Sequence, residues 1–353
     1  MAPKYQKIAD ELRVQIEAGK YADAEMLPTE FAIAQEYQVS RQTVRQALAV
    51  LVRDRMIEKR QGSGSRILRG NPPPKQRYSI AVVTTYISDY IFPGILREVE
   101  KVFSENNCTP SLFATQNQVG NERKILSTLL EMPVDGILVE GSKTALPNPN
   151  LDLYHKFIER GIPLVFMHGD YQDLSGVLSV MDDNRTGGHQ LVEYLYQKGH
   201  REIAGIFKSD DIQGLQRYGG YMDALRDFDL PMEAERIFWY NTENKERVLA
   251  GEAIEQVERV LKGCSAVICY NDEIASHLVG HFMHDGIRVP EDLAVVSFDD
   301  SQYSNFSSPR ITSLSHGTYN VGRMAAELLV RQLRGEPCHS EWAPWVLVEK
   351  ESG

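Results

Sequence analysis

The chain has 353 residues, of which 42% are hydrophobic and 25% charged, a composition typical of soluble globular proteins that argues against disorder as the dominant state. This length exceeds what one ordinary core organises, so we expect two or three domains. The net charge of −11 argues against nucleic-acid binding by the chain as a whole, but residues 1–70 carry 12 Lys and Arg against 9 Asp and Glu. The N-terminal segment is therefore where a phosphate backbone could be contacted.

Three short amphipathic helices are predicted at the N-terminus. Apolar residues recur at helical spacing from Tyr5 to Ala18, and Gly19 predicts the end of this first helix. Thr29 is a suitable N-cap for a second helix and Ser40 for a third, with only a short turn between them. Two short helices joined by a tight turn predict a helix-turn-helix.

The third helix is predicted to contact DNA. Its buried stripe is formed by Val44, Ala47, Leu48 and Leu51. The polar side chains near its N-terminal end lie off that stripe, where a recognition helix meets base edges and phosphates. The residues that we predict to contact DNA from this helix are Ser40, Arg41, Gln42, Thr43 and Arg45.

A basic hairpin follows the third helix. Two predicted strands, 56–61 and 65–68, flank two glycines that permit a tight turn and a close approach of the backbone to a groove. This hairpin predicts the wing of a winged helix. The residues that we predict to contact DNA from the wing are Gln61, Gly62, Ser63 and Gly64.

The N-terminal motifs resemble the winged-helix domain of the GntR family of bacterial transcription regulators. The resemblance rests on segments 27–30 (Leu-Pro-Thr-Glu), 40–48 (Ser-Arg-Gln-Thr-Val-Arg-Gln-Ala-Leu) and 61–64 (Gln-Gly-Ser-Gly), and it covers about residues 1–69. It implies DNA contacts from Lys4, Arg41, Thr43, Arg45 and the wing. The family usually follows the second wing glycine with Thr-Phe-Val, whereas this chain has Ser65-Arg66-Ile67, so the pose of the wing is less well defined.

A doubly wound α/β region is predicted after a proline-rich linker. Three consecutive prolines within 71–77 favour an extended spacer and mark a domain boundary after residue 70. Beyond it, continuous apolar runs such as 79–83, 135–139 and 294–298 alternate with helical stretches, as in strands buried on both faces of a parallel sheet. The ~275 residues of 78–353 exceed one comfortable core, so we predict two lobes with a cleft between them.

Polar and aromatic side chains follow the predicted strands, where ligands bind in folds of this class. Carboxylates, amides and an arginine suit vicinal hydroxyls, and aromatic rings cover a sugar ring, so a sugar is the predicted ligand. Any one of these residues could instead merely cap a strand or begin a helix. The predicted effector-binding residues are Tyr86, Tyr90, Glu140, Lys208, Gln213, Arg217, Asn271 and Asp299.

The order of motifs in 78–353 resembles the effector domain of LacI-family regulators and the related periplasmic sugar-binding proteins. The resemblance rests on segments 183–188, 198–204, 217–220, 270–275, 289–300 and 309–314. It implies that Arg217, Asn271 and Asp299 contact the ligand, and it places Asp183 and His316 in the cleft. It also implies dimerisation through this domain and chain crossovers between lobes near 178, 300 and 320.

The pairing of a GntR-type domain with a LacI-type domain is similar to the arabinose-utilisation repressors of Gram-positive bacteria. That similarity implies L-arabinose as the effector, and no cofactor is expected. Our hypothesis is a homodimer on pseudo-palindromic double-stranded operator DNA that is released when the sugar closes the lobes. Another sugar, a sugar phosphate or a nucleoside, acting as inducer or as corepressor, remains open.

Other classes of protein are disfavoured by the sequence. A nucleophile elbow, a Walker A sequence, HExxH and GxGxxG are all absent, so an enzyme is not expected. Residues 78–353 alone would be compatible with a transport-type binding protein. The N-terminal domain and the expected lack of a signal peptide disfavour that class. The four cysteines lack CxxC spacing, and His277 and His281 lack a third ligand in register, so no metal site is expected. No apolar run approaches ~18 residues, and we expect a cytoplasmic protein.

Overall fold

The computed structural model of the chain describes residues 4–17, 20–21, 26–53, 56–60, 64–67 and 77–353. Two compact units divide the chain, Met1–Gln76 and Arg77–Gly353. The predicted stop of the first helix at Gly19 lies outside the described residues, as does the predicted linker except for Arg77.

Three helices and a two-stranded hairpin form the first unit. Its elements are α1 (Lys4–Glu17), α2 (Glu30–Glu36), α3 (Arg41–Arg53), β1 (Ile57–Arg60) and β2 (Gly64–Ile67). The apolar stripe predicted for α3 is buried against Leu12 of α1 and Ile33 of α2. β1 and β2 pair antiparallel, with Ile57 opposite Ile67. The predicted helix-turn-helix followed by a hairpin is therefore confirmed.

Two six-stranded sheets form the second unit. The first sheet has the spatial order β4-β3-β5-β6-β7-β13 and is parallel throughout. Its strands are β3 (Tyr78–Thr84), β4 (Cys108–Ala114), β5 (Gly136–Val139), β6 (Leu164–Met167), β7 (Leu178–Asp182) and β13 (Glu341–Ala343). The second has the order β9-β8-β10-β11-β12-β14 and is parallel except for β14. Its strands are β8 (Ile203–Lys208), β9 (Ile237–Tyr240), β10 (Ala266–Cys269), β11 (Ala294–Phe298), β12 (Thr312–Ser315) and β14 (Val346–Val348).

Helices cover both faces of each sheet, which confirms the doubly wound architecture. Those of the first lobe are α4 (Phe92–Glu105), α5 (Val119–Leu129), α6 (Leu151–Glu159) and α13 (Val321–Leu333). Those of the second lobe are α7 (Asn184–Gln197), α8 (Ile212–Asp227), α9 (Lys245–Leu249), α10 (Ile254–Leu261), α11 (Asp272–His284) and α12 (Gln302–Phe306). Along β3, Val82 packs into the core beneath α4 and α13, whereas Val83 packs into the core beneath α5 and α6. A strand buried on both faces has to be apolar at every position, as the continuous runs predicted.

The chain passes between the lobes at three places. It crosses at Asp183, between β7 and α7; again within 316–320, between β12 and α13; and finally at 344–345, between β13 and β14. The crossing within 316–320 is the one expected near 320, and the crossing at Asp183 lies five residues after the one expected near 178, but no crossing occurs near 300. Around 300 the chain only turns, because β11 and β12 are neighbours in the same sheet and α12 lies between them. The third crossing had no counterpart in the sequence analysis.

Candidate functional site

A capped turn begins the third helix of the first unit. The Ser40 hydroxyl accepts a hydrogen bond from the backbone N–H of Thr43 at 3.2 Å and lies 2.9 Å from the Thr43 hydroxyl. Lys4 is exposed at the start of α1. Of the residues predicted on α3, Arg41, Gln42 and Arg45 are exposed and Thr43 is half-buried. The described part of the predicted DNA-contacting set is thus at the surface, and Ser40 also caps the helix that carries it.

One carboxylate joins α2, α3 and β1 beside this turn. Glu30 accepts a hydrogen bond from Arg45 Nε at 2.8 Å. Lys59 Nζ lies 3.2 Å and Arg41 Nη2 3.9 Å from the same carboxylate. The hydrogen bond from Arg45 is the leading reason that the pKa of Glu30 is lowered. Glu30 therefore stays ionised and holds basic side chains of α3 and β1 together.

The wing is described only in its strands. Gly64 begins β2 with φ of 94°, and a Cβ atom there would lie 3.2 Å from Cε of Met26. The positive φ favours glycine at this position, and a side chain there would also have to displace the flexible end of Met26. Gln61, Gly62 and Ser63, which were predicted to contact DNA, lie outside the described residues.

A cleft lies between the two lobes of the second unit, beyond the carboxyl ends of their strands. It encloses about 730 Å³ that no protein atom occupies, part of it open to solvent. Predicted effector-binding residues that line it are Tyr86, Tyr90, Glu140, Lys208, Gln213, Arg217, Asn271, Asp299 and His316. Residues brought in that were not predicted to bind the effector include His168, Asp182, Asp211, Lys245, Tyr270 and Glu273.

Arg217 of α8 is a buried cation of the cleft. Only 2% of it is exposed. Its guanidinium donates to the side-chain oxygen of Asn184 at 2.9 Å and to the backbone carbonyl of Tyr270. It also pairs with Asp299 at 3.3 Å and packs on the ring of Phe298, whose centre is 4.2 Å from the guanidinium carbon. Burial would lower the pKa of Arg217, but Asp299 and its other neighbours raise it, so the side chain remains charged.

Tyr90 connects the two lobes across the cleft. Its hydroxyl donates to Asp299 at 2.7 Å and accepts from the backbone N–H of Asp272 at 3.2 Å. Burial, followed by the charge of Asp299, raises the pKa of Tyr90 well above its ordinary value, so the hydroxyl stays a donor. Asp299 has φ of 97°, a conformation that costs energy in any residue with a side chain and is found mostly at functional sites. Tyr90 and Arg217 thus hold its two carboxylate oxygens from opposite lobes.

Asp182, at the end of β7, lies between two histidines. Its Oδ2 is 3.0 Å from Nδ1 of His168, and its Oδ1 is 2.9 Å from Nε2 of His316. Burial would raise the pKa of Asp182, but the two imidazoles lower it well below the ordinary range. Gln213 of the second lobe also donates to Oδ2, at 3.1 Å. His168 Nε2 is buried and has no hydrogen-bond partner within the described part of the chain, so it offers a polar atom to a ligand.

Asp183 was predicted to line the cleft, but the residue that does so is its neighbour Asp182. The Asp183 carboxylate accepts from the backbone N–H of Thr186 at 3.3 Å, so it caps α7, and its neighbour Asp182 lines the cleft instead. Successive side chains at the end of a strand point in opposite directions, so a shift of one residue exchanges the two roles. Asn271 lines the cleft and also caps α11, through the backbone N–H of Ile274 at 3.0 Å.

Glu140 is held by Thr84, the last residue of β3, and by Thr85, which follows it. Its Oε2 atom accepts from the Thr84 hydroxyl at 2.9 Å, from the Thr85 backbone N–H at 2.8 Å and from the Thr85 hydroxyl at 2.6 Å. Burial raises the pKa of Glu140, an effect that the nearby His168 partly offsets. These hydrogen bonds fix the carboxylate as a rigid part of the first-lobe wall.

Each cation that lines the cleft is paired with a carboxylate of the cleft. Arg217 pairs with Asp299, as described above. Lys208 contacts Asp211, and Lys245 Nζ lies 2.7 Å from Glu273. The carboxylates that line the cleft outnumber these three cations, and they are Asp89, Glu140, Asp182, Asp211, Glu273 and Asp299. The lining of the cleft therefore carries more carboxylates than lysine and arginine side chains. Its aromatic walls are Tyr86, Tyr90, Phe92, Tyr240 and Tyr270.

The buried His168 is expected to make stability depend on pH. Burial lowers the pKa of His168, but Asp182 more than offsets this and raises it above its ordinary value of about 6.5. Because its pKa is raised in the folded state, the protonated His168 side chain contributes its full stabilisation below about pH 6.5. That contribution to folding stability is lost as pH rises through the folded-state pKa. The difference in Tm between the protein and His168→Gln should therefore be larger at pH 6 than at pH 8. His155→Gln is the matched control, and a difference that grows with pH would contradict the assignment.

Neither a metal centre nor a membrane span is found in the described ranges. Among those residues, no three His, Cys, Asp or Glu side chains are grouped as a metal ion requires. No described helix has the length and apolar character needed to cross a bilayer.

Comparisons with known proteins match both units. Residues 4–67 match the family of bacterial regulatory proteins, gntR family, and residues 192–352 match the periplasmic binding protein-like domain. The chain is 34% identical to the arabinose metabolism transcriptional repressor of Halalkalibacterium halodurans, over 95% of this chain and 91% of that protein. It is 36% identical to the repressor of the same name from Geobacillus stearothermophilus, over 94% and 91%. The fold matches transcription regulator CcpA of Lactococcus lactis with a TM-score of 0.68 and 24% identity, over 78% of this chain and 99% of that one.

Proposed function

Because the chain belongs to the family of the arabinose metabolism transcriptional repressors, we propose that it holds operator DNA through α3 and the wing and releases it when L-arabinose occupies the cleft. The chain is a transcriptional repressor of sugar metabolism, with a GntR-type DNA-binding domain and a periplasmic-binding-protein-like domain. The relatives are repressors and not enzymes. The proposal concerns the effector, the sign of its action and the dimer.

The pairing of cations in the cleft is the observation that supports a neutral sugar. A sugar phosphate or a nucleotide needs basic groups that are available to the anion. Lys208, Arg217 and Lys245 are each already engaged with a carboxylate, and carboxylates remain in excess. Carboxylates accept hydrogen bonds from vicinal hydroxyls, and amides both accept and donate them. The tyrosine rings cover the apolar faces of a sugar ring.

The proposed mechanism couples the cleft to the DNA-binding domains through a homodimer. Two winged helices held by dimerised effector domains match two half-sites of a pseudo-palindromic operator. Closure of the lobes on the sugar changes that spacing. The sugar weakens operator binding only by its differential affinity for the free and DNA-bound conformations, typically about 1–3 kcal/mol.

Calorimetric titration of the full chain tests the effector. The sugars are L-arabinose, D-xylose, D-ribose and D-galactose, and operator release is followed by fluorescence anisotropy on a duplex that the protein selects from a random pool. Binding of L-arabinose above the others, with loss of anisotropy, supports the proposal. Tighter DNA binding with the sugar would make it a corepressor. No heat from any of the four would overturn L-arabinose as effector and move the search to nucleosides.

Phosphorylation of the sugar is expected to abolish binding. The phosphate adds up to two negative charges to a ligand that enters a cleft with excess carboxylates, and juxtaposed like charges cost several kcal/mol. Arabinose 5-phosphate should therefore bind at least about 100-fold more weakly than arabinose in the same titration. The discrimination should be smaller in Glu273→Gln, which removes one carboxylate. Equal affinities for the two compounds would contradict the neutral-sugar assignment.

A further inference from the structure

A second set of interlobe contacts lies beside the cleft, at the ends of four strands. The first lobe contributes Asn117, after β4, and Lys143, after β5. The second lobe contributes residues that follow β8 and β9. The side chains of this group, which we call the interlobe latch, are Asn117, Lys143, Asp210, Asp211, Thr242 and Glu243. Of these, only Asp211 lines the cleft.

Asn117 uses its whole amide group in the latch. Its Nδ2 donates to Asp211 at 3.0 Å and to the Thr242 hydroxyl at 2.7 Å, both in the opposite lobe. Its Oδ1 accepts from the backbone N–H of Lys143 at 2.7 Å, within its own lobe. Only 1% of Asn117 is exposed. A buried amide with every hydrogen bond satisfied specifies one arrangement, because separation of the lobes breaks two of the bonds at once.

Lys143 adds an ion pair to the same contact. Its ammonium contacts Glu243 and lies 3.8 Å from Asp210, with 15% of its side chain exposed. Asn117 and Lys143 have φ of 50° and 49°, in the left-handed region that residues with side chains adopt sparingly. Such conformations persist where the surrounding contacts hold them, and they concentrate at functional positions.

The latch and the cleft share carboxylates. Asp211 accepts from Asn117 in the latch and contacts Lys208 in the cleft. Asp210 lies 3.4 Å from Lys208 and 3.8 Å from Lys143. A change in the position of Lys208 therefore reaches Asn117 and Lys143 of the first lobe through Asp211 and Asp210.

We infer that Asn117 and Lys143 are positioning residues that stabilise the closed arrangement of the lobes and so set the affinity for every effector without touching it. The inference rests on the proposed function only in treating the ligand of the cleft as an effector. An apparent Kd equals the intrinsic Kd divided by the fraction of molecules in the competent conformation. Loss of the latch lowers that fraction, so it weakens all ligands by one common factor, whereas loss of a cleft residue changes their ratio.

Titration of latch variants measures the common factor. Lys143→Ala and Asn117→Ala should each raise the Kd of the tightest sugar and of the next-best sugar about 3- to 10-fold, with their ratio unchanged. Lys143→Glu combined with Glu243→Lys should recover most of the affinity, and the effect of Lys143→Ala should shrink at high salt. Lys156→Ala, an exposed lysine of α6 in the same lobe, is the matched control. A changed ratio, or an unchanged Kd, overturns the inference.

Hydrogen exchange tests the latch without any sugar. The backbone N–H of Ile212 donates across the lobes to the Thr144 hydroxyl at 3.0 Å, beside the latch. In Lys143→Ala the Ile212 amide should exchange at least about 5-fold faster than in the unaltered protein, while the exchange rate of the Tyr221 amide, in the middle of α8, stays the same. Equal rates at Ile212 in the variant and the unaltered protein overturn the latch. If no sugar binds the unaltered protein, the proposed effector is wrong, and this exchange rate still decides the latch.

Discussion

Replacement of Arg217 by alanine is expected to weaken effector binding by more than about 30-fold. Truncation of a buried arginine at the centre of a binding site typically costs at least about 2 kcal/mol of binding free energy, part of it because neighbouring groups are left unpaired. In Arg217→Ala one of these groups is Asp299, which lies 2.7 Å from the Tyr90 hydroxyl of the opposite lobe. The change therefore disturbs both walls of the cleft. Calorimetric titration with the sugar that binds the unaltered protein measures the loss.

The matched control for Arg217 lies one helix away. Arg185 of α7 is an arginine whose side chain is 67% exposed and pairs with Asp223 at the surface. Arg185→Ala should bind the sugar normally. Arg217→Lys keeps the charge but not the planar group that reaches Asn184 and Asp299 together, so it should also bind weakly. Thermal melting and circular dichroism establish that each variant is folded. Sugar binding by Arg217→Ala within threefold of the unaltered protein would show that the cleft is not the effector site.

Replacement of Arg45 by alanine is expected to weaken operator binding about 10- to 100-fold. A side chain that contacts a base edge contributes about 1–3 kcal/mol of binding free energy. Removal of a side chain that contacts phosphate reduces, by about 1, the slope of log affinity against log salt concentration. Arg45 is exposed on α3 and is oriented by Glu30 at 2.8 Å, so little side-chain entropy has to be lost on binding. Fluorescence anisotropy with the selected duplex at several salt concentrations separates the two kinds of contact.

An arginine outside the first unit provides the comparison for Arg45. The side chain of Arg288 is 69% exposed and pairs with Asp292. Arg288→Ala should retain both the operator affinity and its salt dependence. Sugar titration of Arg45→Ala should give the affinity of the unaltered protein, because the effector cleft lies wholly within the second unit. An operator affinity unchanged in Arg45→Ala would remove α3 from the DNA interface.

Much of the cleft could be predicted because its residues follow parallel strands. Carboxyl ends of neighbouring parallel strands meet at one edge of a sheet, so Asn271 and Asp299 had to converge once β10 and β11 were recognised as strands. By the same rule Glu140, after β5, had to lie at the corresponding edge of the first sheet. His168 follows β6 directly and could have been found by the same rule. The buried stripe of α3 was predictable for a related reason, since helical spacing alone determines which side chains share a face.

The remaining features depend on contacts that local sequence does not encode. Asp182 and Asp183 have identical side chains, and only the register at the end of β7 decides which of them enters the cleft. Asn117 and Thr242 are 125 residues apart, and nothing in either segment indicates the other. The turn at 300 was mistaken for a crossover because the pairing of β11 with β12 is invisible until the sheet is assembled.

Two of the three chain crossings supply side chains that line the cleft. Asp182 ends the strand before the first crossing, His316 lies in the second, and Trp345 lies in the third and stacks on His316 with ring centres 3.8 Å apart. Asp182 and His316 also line the cleft. The crossings link the two lobes, so a rotation of one lobe against the other has its axis near Asp182 and His316. A ligand that shifts these two side chains acts close to that axis, where a small displacement corresponds to a larger one at the far edges of both sheets.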